Sequence, residues 1–450
     1  MFTNHLQLNY AAALRNYDIF PKVIPAGKTS EITVMPLGAH AAFEPRGYTL
    51  RICPRHEGSM QAFPDRRNNF EYAVTPDDDG CIRFSFEFFS EQEYLIYIGE
   101  KLKLSVYAVE QDLVGRYPFR GDLHMHSSRS DGQQAPAIVC AEYRKTGYDF
   151  MAITDHRRYE PSLEAIAAYK DLPIEMTIVP GEEVHLPCDY EGKRINEIHI
   201  INFGGSKSIN AIANSDPEAH WAAVEAFAKT IDIPETLQGS ERYTYASCLW
   251  AFNEIKACGG LSHFCHPYDR AIFRVPPTLA DAIFESRAFG ALEVLGGDIS
   301  FDQNGFQTIQ YYEDQVRGRR YPIVGVTDSH DAYACDNRDS HVSSTLVFSP
   351  ANERRALIDS ILDCYCVAVD TIHDTRRYVG ALRLVRYANF LGHNFLPLHD
   401  ELCFEEGRAM KDYACGLPGA EEILRLISGA CNASASGILG GRAVVLNGWL

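Results

Sequence analysis

The sequence predicts an α/β chain. Its middle is a βα-alternating region of barrel type, preceded by a small antiparallel β-sandwich-like domain and followed by a mostly helical C-terminal segment. Three observations carry this. The first hundred or so residues contain apolar runs with a two-residue period, the mark of half-buried strands. From about Arg116 the rhythm changes to short apolar runs that end in polar residues and are separated by helical stretches. Beyond Ala351 the patterns are helical, as in ERRALIDSILDCYCV and GAEEILRLISGA. The expected divisions are residues 1–115, 116–372 and 373–450, in keeping with a 450-residue chain about three times the usual domain length.

In the first segment, Ile82–Phe88 and Leu102–Ala108 alternate apolar and polar residues, and Thr75–Gly80 (TPDDDG) is a turn cluster. EITVMPL and YTLRICP supply further strands. No catalytic cluster falls there, so a structural or substrate-gating role is expected. In the middle segment DFMAITDH, MTIVPGEEV, EIHIINFGG, GGLSHFCHP, GALEVLGG and YPIVGVTDSH read as buried strands. Pro136 is placed for the first turn of a helix and Gly147 for its C-terminal cap. Seven or eight such units fit between residues 116 and 370. Chemistry at the C-terminal ends of parallel strands is where a barrel keeps its active site.

Composition narrows the function. The apolar fraction is 46 % and the charged fraction 23 %, close to globular averages, which argues against a disordered or coiled-coil chain. No run reaches the ~18 apolar residues of a membrane span, and MFTNHLQLNY lacks the pattern of a signal peptide. Forty-two basic against sixty acidic residues give a net charge of −18, a poor match to nucleic-acid phosphates. The thirteen cysteines include no CxxC pair and read as reduced thiols of a cytoplasmic protein. Nine of the sixteen histidines lie between His124 and His330, several beside carboxylates.

In GDLHMHS, side chains two apart share a strand face, so His124 and His126 sit ~7 Å apart and converge on one ion. Five residues on, Asp131 in SRSDG lies in a turn that brings a carboxylate back over the strand tip. Asp155 and His156 end AITDH and cannot both face inward. His156 is the favoured ligand and Asp155 its outer carboxylate, because liganding imidazoles hand their other N–H to such a group. In PGEEVH the strand parity separates Glu182 from Glu183 and His185, so one glutamate reaches the ions. His199 is embedded in β-branched residues and is expected to be buried. His263 and His266 lie on opposite parities, and His266, directly before a proline, is the favoured ligand. Asp328 and His330 share a face in TDSH, with Ser329 pointing away.

Each feature has an ordinary alternative, a capped turn or a satisfied core histidine. Six apolar runs each carrying an imidazole or carboxylate are hard to explain by packing, since buried ionisable groups are costly unless paired or metal-bound. The expected donors are His124, His126, Asp131, His156, Glu183, His199, His266, Asp328 and His330. Nine suffice for two or three divalent ions. Nitrogen and oxygen donors suit Zn, Mn or Fe, and Cys265 has the wrong parity to join His266.

The order HMHSSRSDG, ITDH, PGEE, isolated His199, HP, TDSH resembles that of the PHP (polymerase and histidinol phosphatase) family, over roughly residues 118 to 370. Within that family it is similar to the group described as predicted metal-dependent phosphoesterases. The resemblance implies a distorted (β/α)7 TIM-like barrel with a bi- or trinuclear metal centre that hydrolyses phosphoesters. It selects Glu183 over Glu182 and agrees on His266. It departs at Asp131, where some members carry a histidine, and it does not extend to the β-rich front or the tail.

The expected activity is hydrolysis of a small-molecule phosphate mono- or diester by a metal-activated hydroxide. Asp328 and His330 stand in the catalytic centre, and His263 is a candidate general acid. Arg270, with Arg129, Arg157 and Arg158, is a candidate for gripping phosphoryl oxygens. Two other readings are a metal-dependent amidohydrolase or lactonase, and a non-catalytic metal-binding scaffold. The expected partner is a small-molecule phosphoester, with no membrane or nucleic acid; oligomeric state does not follow from the sequence.

Overall fold

The computed structural model describes residues 16–55, 69–100, 102–268, 275–297, 301–333, 342–371 and 376–430. Two compact units emerge. One takes residues up to Tyr117 together with Leu382–Cys403, and the other takes Pro118–Ala381 with Phe404–Ile427. The C-terminal helices, which the sequence reading set apart as residues 373–450, are shared between the units.

In the first unit, strands Tyr17–Phe20, Lys28–Pro36 and Ile82–Phe88 form a three-stranded antiparallel sheet. A second sheet has the order Val23–Pro25, Leu102–Val109, Gln92–Ile98, Tyr48–Pro54, Phe70–Val74. Alternating side chains from both sheets meet in one core: Ile32, Val34, Ile82 and Phe88 face Leu50, Ile52, Tyr94, Ile96 and Val106. Helix Leu382–Asn394 adds Tyr387 and Phe390, whose rings lie 5.1 and 5.3 Å from Tyr107.

The second unit is mixed α/β with two main sheets. The six-stranded sheet runs Thr177–Ile178, Phe150–Met151, Tyr117–Asp122, Ser343–Ser349, Cys366–Asp370, Arg377–Val379. The five-stranded sheet runs Gly181–His185, His199–Phe203, Leu261–Phe264, Ala291–Gly296, Ile323–Val326. The alternation expected from sequence departs from parallel here. Gly181–His185 pairs antiparallel with His199–Phe203, and that strand antiparallel with Leu261–Phe264. The first of these pairs is joined through the short hairpin Asp189–Tyr190/Lys193–Arg194. Without a crossover helix a returning strand can only pair antiparallel. The ladders themselves do not close a barrel; two single parallel bridges, Met125↔Ser329 and His156↔Glu183, link the sheets.

Helix Pro136–Lys145 starts with proline in its first turn, and Gly147 follows it at φ +91°. The helix places Arg144 wholly inside, where its guanidinium meets Asp149 at 2.8 Å and Glu406 from the C-terminal part of the same unit. A buried arginine is tolerated because both carboxylates answer it. The sheets pack on helices Ser240–Ala257, Pro277–Ser286 and Arg354–Leu362 through Leu249, Phe252, Phe264, Ile283 and, on the other side, Val347, Leu357 and Ile361. Among the described residues no helix is long and apolar enough to cross a membrane.

Candidate metal centre

Strand Tyr117–Asp122 stops before the first histidine pair, so His124 and His126 are set by what holds the chain beyond it. Asp328 N donates to His124 O at 2.8 Å and His126 N to Ser329 O at 2.8 Å. The buried Asp122 carboxylate receives Thr327 Oγ1 at 2.5 Å and His124 N at 3.1 Å, and burial pushes it up to about 7 against those bonds. The His124 and His126 rings lie 5.3 Å apart, closer than ideal strand spacing gives.

Two glycines permit the approach. A Cβ on Gly132 would sit 2.7 Å from the His126 carbonyl, so the SRSDG turn folds Asp131 back over His126 only with glycine there. A Cβ on Gly181 would meet the Ala152 methyl at 2.8 Å, where the Gly-Glu-Glu strand lies close to the strand before it.

Glu183 is the hub. Its Oε2 is 2.6 Å from His156 Nδ1, 3.5 Å from His126 Nε2 and 3.6 Å from His124 Nε2. Oε1 is 2.5 Å from His199 Nδ1 and 3.7 Å from His266 Nε2. Asp328 Oδ1 lies 3.0 and 2.9 Å from Nε2 of His124 and His126. On the exposed side Asp131 Oδ2 is 3.3 Å from His156 Nε2 and 3.4 Å from His330 Nε2. All nine donors expected from sequence therefore come together in one cluster.

The parities need revision at its end. Residues 327–330 leave the strand, with Asp328 in the left-handed region at φ +52°, so Asp328 and His330 do not share a strand face. Asp328 instead joins the His124 side and His330 the Asp131 side. His266 also has positive φ, +25°. Strain of this kind is sustained only where surrounding contacts hold it.

The charges suit the arrangement. Burial drives the Glu183 and Asp328 carboxyls up, but neighbouring imidazoles, His199 and His124 for the first and His124 and His126 for the second, outweigh it and hold both well below the usual range. Burial opposes a proton on His266, yet Glu183, Glu293 and Asp328 raise it to about 9. His199, dominated by burial, falls to about 4.

Other residues fill roles around these. Glu182, facing away, receives Ser208 Oγ, Asn202 Nδ2, Asn210 Nδ2 and the Ile209 amide, a structural carboxylate. Asp155 does not hold an imidazole N–H as expected. It accepts Ser127 N at 2.7 Å and both Ser127 Oγ and Ser130 Oγ at 2.5 Å, because its backbone position faces the loop leaving His126. His263 is fully buried, its ring 5.9 Å from that of His124, and burial holds it well below the usual histidine range. Cys265, set aside by parity, lies in one group with His124, His263 and Glu293, their donor atoms within 4.8 Å of one another. Arg129 pairs with Glu164 at 2.7 Å and Arg157 with Glu197 at 2.8 Å. Arg270 lies outside the described residues.

Sequence reasoning missed Glu293 and His185. Glu293 ends nothing recognisable, standing inside GALEVLGG, yet its Oε2 is 3.1 Å from His124 Nδ1. His185 shares the parity of Glu183, a signal the sequence did carry, and its Nε2 reaches within 2.8 Å of His156 Nδ1.

The donor set fits divalent cations. Groups of three and four residues place their donor atoms within 4.8 Å of one another, and ligands around a tetrahedral ion at ~2.1 Å stand about 3.4 Å apart. Both Glu183 oxygens, His124 Nε2 and His126 Nδ1 are buried without a well-formed hydrogen bond. Such atoms are costly unless something else satisfies them.

No family model matches the chain. A DNA polymerase/3'-5' exonuclease PolX of Bacillus subtilis (strain 168) is 33 % identical over 99 residues, 20 % of this chain, and the chain spans only 17 % of that protein's length. A two-domain protein from Bacteroides vulgatus ATCC 8482, containing a predicted PHP-like metal-dependent phosphoesterase, superposes with a TM-score of 0.37 at 16 % identity, covering 56 % of this chain and 65 % of that one. An amidohydrolase from Chromobacterium violaceum superposes with a TM-score of 0.31 at 18 % identity, over 47 % of this chain and 87 % of its own.

Proposed function

We propose that the chain is a metal-dependent hydrolase acting on small phosphate mono- or diesters, the activity that the PHP-like order of its sequence motifs implies. The observation that carries the reading is Glu183, buried and within 3.7 Å of five imidazoles. Two or three Zn, Mn or Fe ions are the proposed cofactors, held by the nine donors. Bound there, such ions supply Lewis acidity and lower the pKa of a water towards about 7. The finer fold description, a distorted seven-stranded barrel, is supported by the two bridges that join the five- and six-stranded sheets.

The chain's own groups divide the work. Glu293 and Asp328 fix the orientation of His124, and Asp155 and Gly132 fix the loop after His126. Asp131 and His330 are 53 % and 31 % exposed at the side chain, so substrate enters over them and not from the His263 side. Arg157, with Arg158 next to it, is exposed beside that edge and offers donors to phosphoryl oxygens. His263, fully buried, is better suited to support than to proton delivery.

The test is metal analysis of protein purified without chelator, followed by a panel of phosphomonoesters, phosphodiesters, lactones and amides on protein reconstituted with each ion. Two or three equivalents of metal and phosphoester turnover, lost in Asp328→Ala, are expected. Lactone or amide cleavage without phosphoester cleavage would overturn the choice of substrate class. Metal binding with no turnover of any kind would leave a scaffold instead of an enzyme.

A further inference from the structure

We propose that His185 is a metal ligand of the centre, with Glu197 as the carboxylate that orients it. The inference rests on the reading of the cluster as a metal centre, but not on the substrate class.

His156 has two claims on it. Its Nε2 faces Asp131 at 3.3 Å, in the group with His126 and His330, while its Nδ1 faces Glu183 at 2.6 Å. One imidazole does not serve both groups unless it bridges them as an imidazolate. If Nε2 serves the Asp131 side, the Glu183–His199 side is left with one imidazole, that of His199, and His185 stands where a second is needed. Its donor atom lies within 4.8 Å of those of His156, Glu183 and His199, its ring centre is 3.9 Å from that of His199, and Nε2 is 3.9 Å from Glu183 Oε2.

The rest of the His185 ring is arranged as a ligand's would be. Nδ1 meets Glu197 Oε1 at 3.0 Å, and that oxygen also accepts from Arg157 Nη2 at 2.8 Å. A carboxylate on one ring nitrogen fixes the tautomer so that the other presents its lone pair, the usual support of a metal-bound histidine. The backbone is held as well: His185 N donates to Asn210 Oδ1 at 2.9 Å, and His185 O accepts from Asn214 Nδ2 at 3.1 Å. Strand parity puts Glu183 and His185 on one face, so one short strand delivers two donors to the same ion.

The experiment uses the full chain loaded with Co2+, read by metal content, visible absorption and chelator competition, for native protein and for His185→Ala, His185→Gln and Glu197→Gln. The expected result for both His185 variants is a loss of at least ~100-fold in affinity at one site, with a shifted d–d band that imidazole restores in His185→Ala. Glu197→Gln is expected to weaken the same site about 10–100-fold without removing a ligand. An unchanged band and an affinity within about threefold of native in His185→Gln would overturn the assignment. Should His185→Ala fail to fold, His185→Gln and Glu197→Gln decide alone. Native protein that binds no Co2+ would instead refute the metal centre, an outcome separable from failure of His185 alone.

Discussion

Glu293 Oε2 lies 3.1 Å from His124 Nδ1, both side chains fully buried, so the imidazole is pinned on the side away from Glu183. A carboxylate in that position fixes which nitrogen faces the cluster. Glu293→Gln is expected to weaken metal binding about 10–100-fold while leaving the ion count at saturation unchanged, as read by chelator competition and elemental analysis.

Glu183 and His330 are expected to differ in how many ions they hold. Glu183 touches histidines on every side of the cluster, whereas His330 reaches only the Asp131 edge. Glu183→Gln should therefore lose more than one equivalent of metal per chain, and His330→Ala no more than one. Equal losses would mean that the carboxylate does not bridge.

Asp155 is a support for the loop that carries Asp131. Removing its carboxylate strands the buried Ser127 amide and hydroxyl, while Ser130 Oγ keeps Asp131 at 3.1 Å, and an unsatisfied buried donor costs about 1–3 kcal/mol. Asp155→Ala should lose that much in urea unfolding of metal-free protein. A loss under about 0.5 kcal/mol would show that the loop finds other partners.

The cluster was legible from sequence because its donors sit at the ends of apolar runs, where parity and cost of burial both speak. Glu293 was not, since a glutamate inside ALEVLG looks like any strand residue until the fold sets His124 beside it. The role of Asp155 was misassigned for a related reason: adjacency to His156 suggested an imidazole partner, but the hydrogen bonds go to Ser127 and Ser130 in the loop after His126. The antiparallel pairs around His199 escaped because periodicity reports burial and not direction. The β-rich front was easier, its Phe84, Phe86 and Phe88 alternation appearing directly in the shared core of the two sheets.

Acid sensitivity should have one component outside the donor cluster. His220 is buried with its ring 4.9 and 4.8 Å from Trp221 and Trp250, and burial lowers it to about 4. Its folded value is below the unfolded 6.5, so the unfolded chain takes up the proton first. That contribution is complete above about pH 6.5 and is lost as the pH falls towards 4. His220→Gln should therefore narrow its stability gap to native protein between pH 7 and pH 5 in urea titrations. A gap independent of pH would contradict the assignment.

The two bridges at Met125↔Ser329 and His156↔Glu183 are each a single residue pair long, and each lies among the proposed donors. At the cluster the seam between the sheets is thus only two single-pair bridges, and cations held there would act as rivets across it. Ion release and seam opening then become one coupled equilibrium. The amides of His126, Arg157 and Glu183, which close these bridges, should exchange with solvent deuterium faster once the metal is withdrawn, while those in the long ladder of Ser343–Ser349 with Cys366–Asp370 should not.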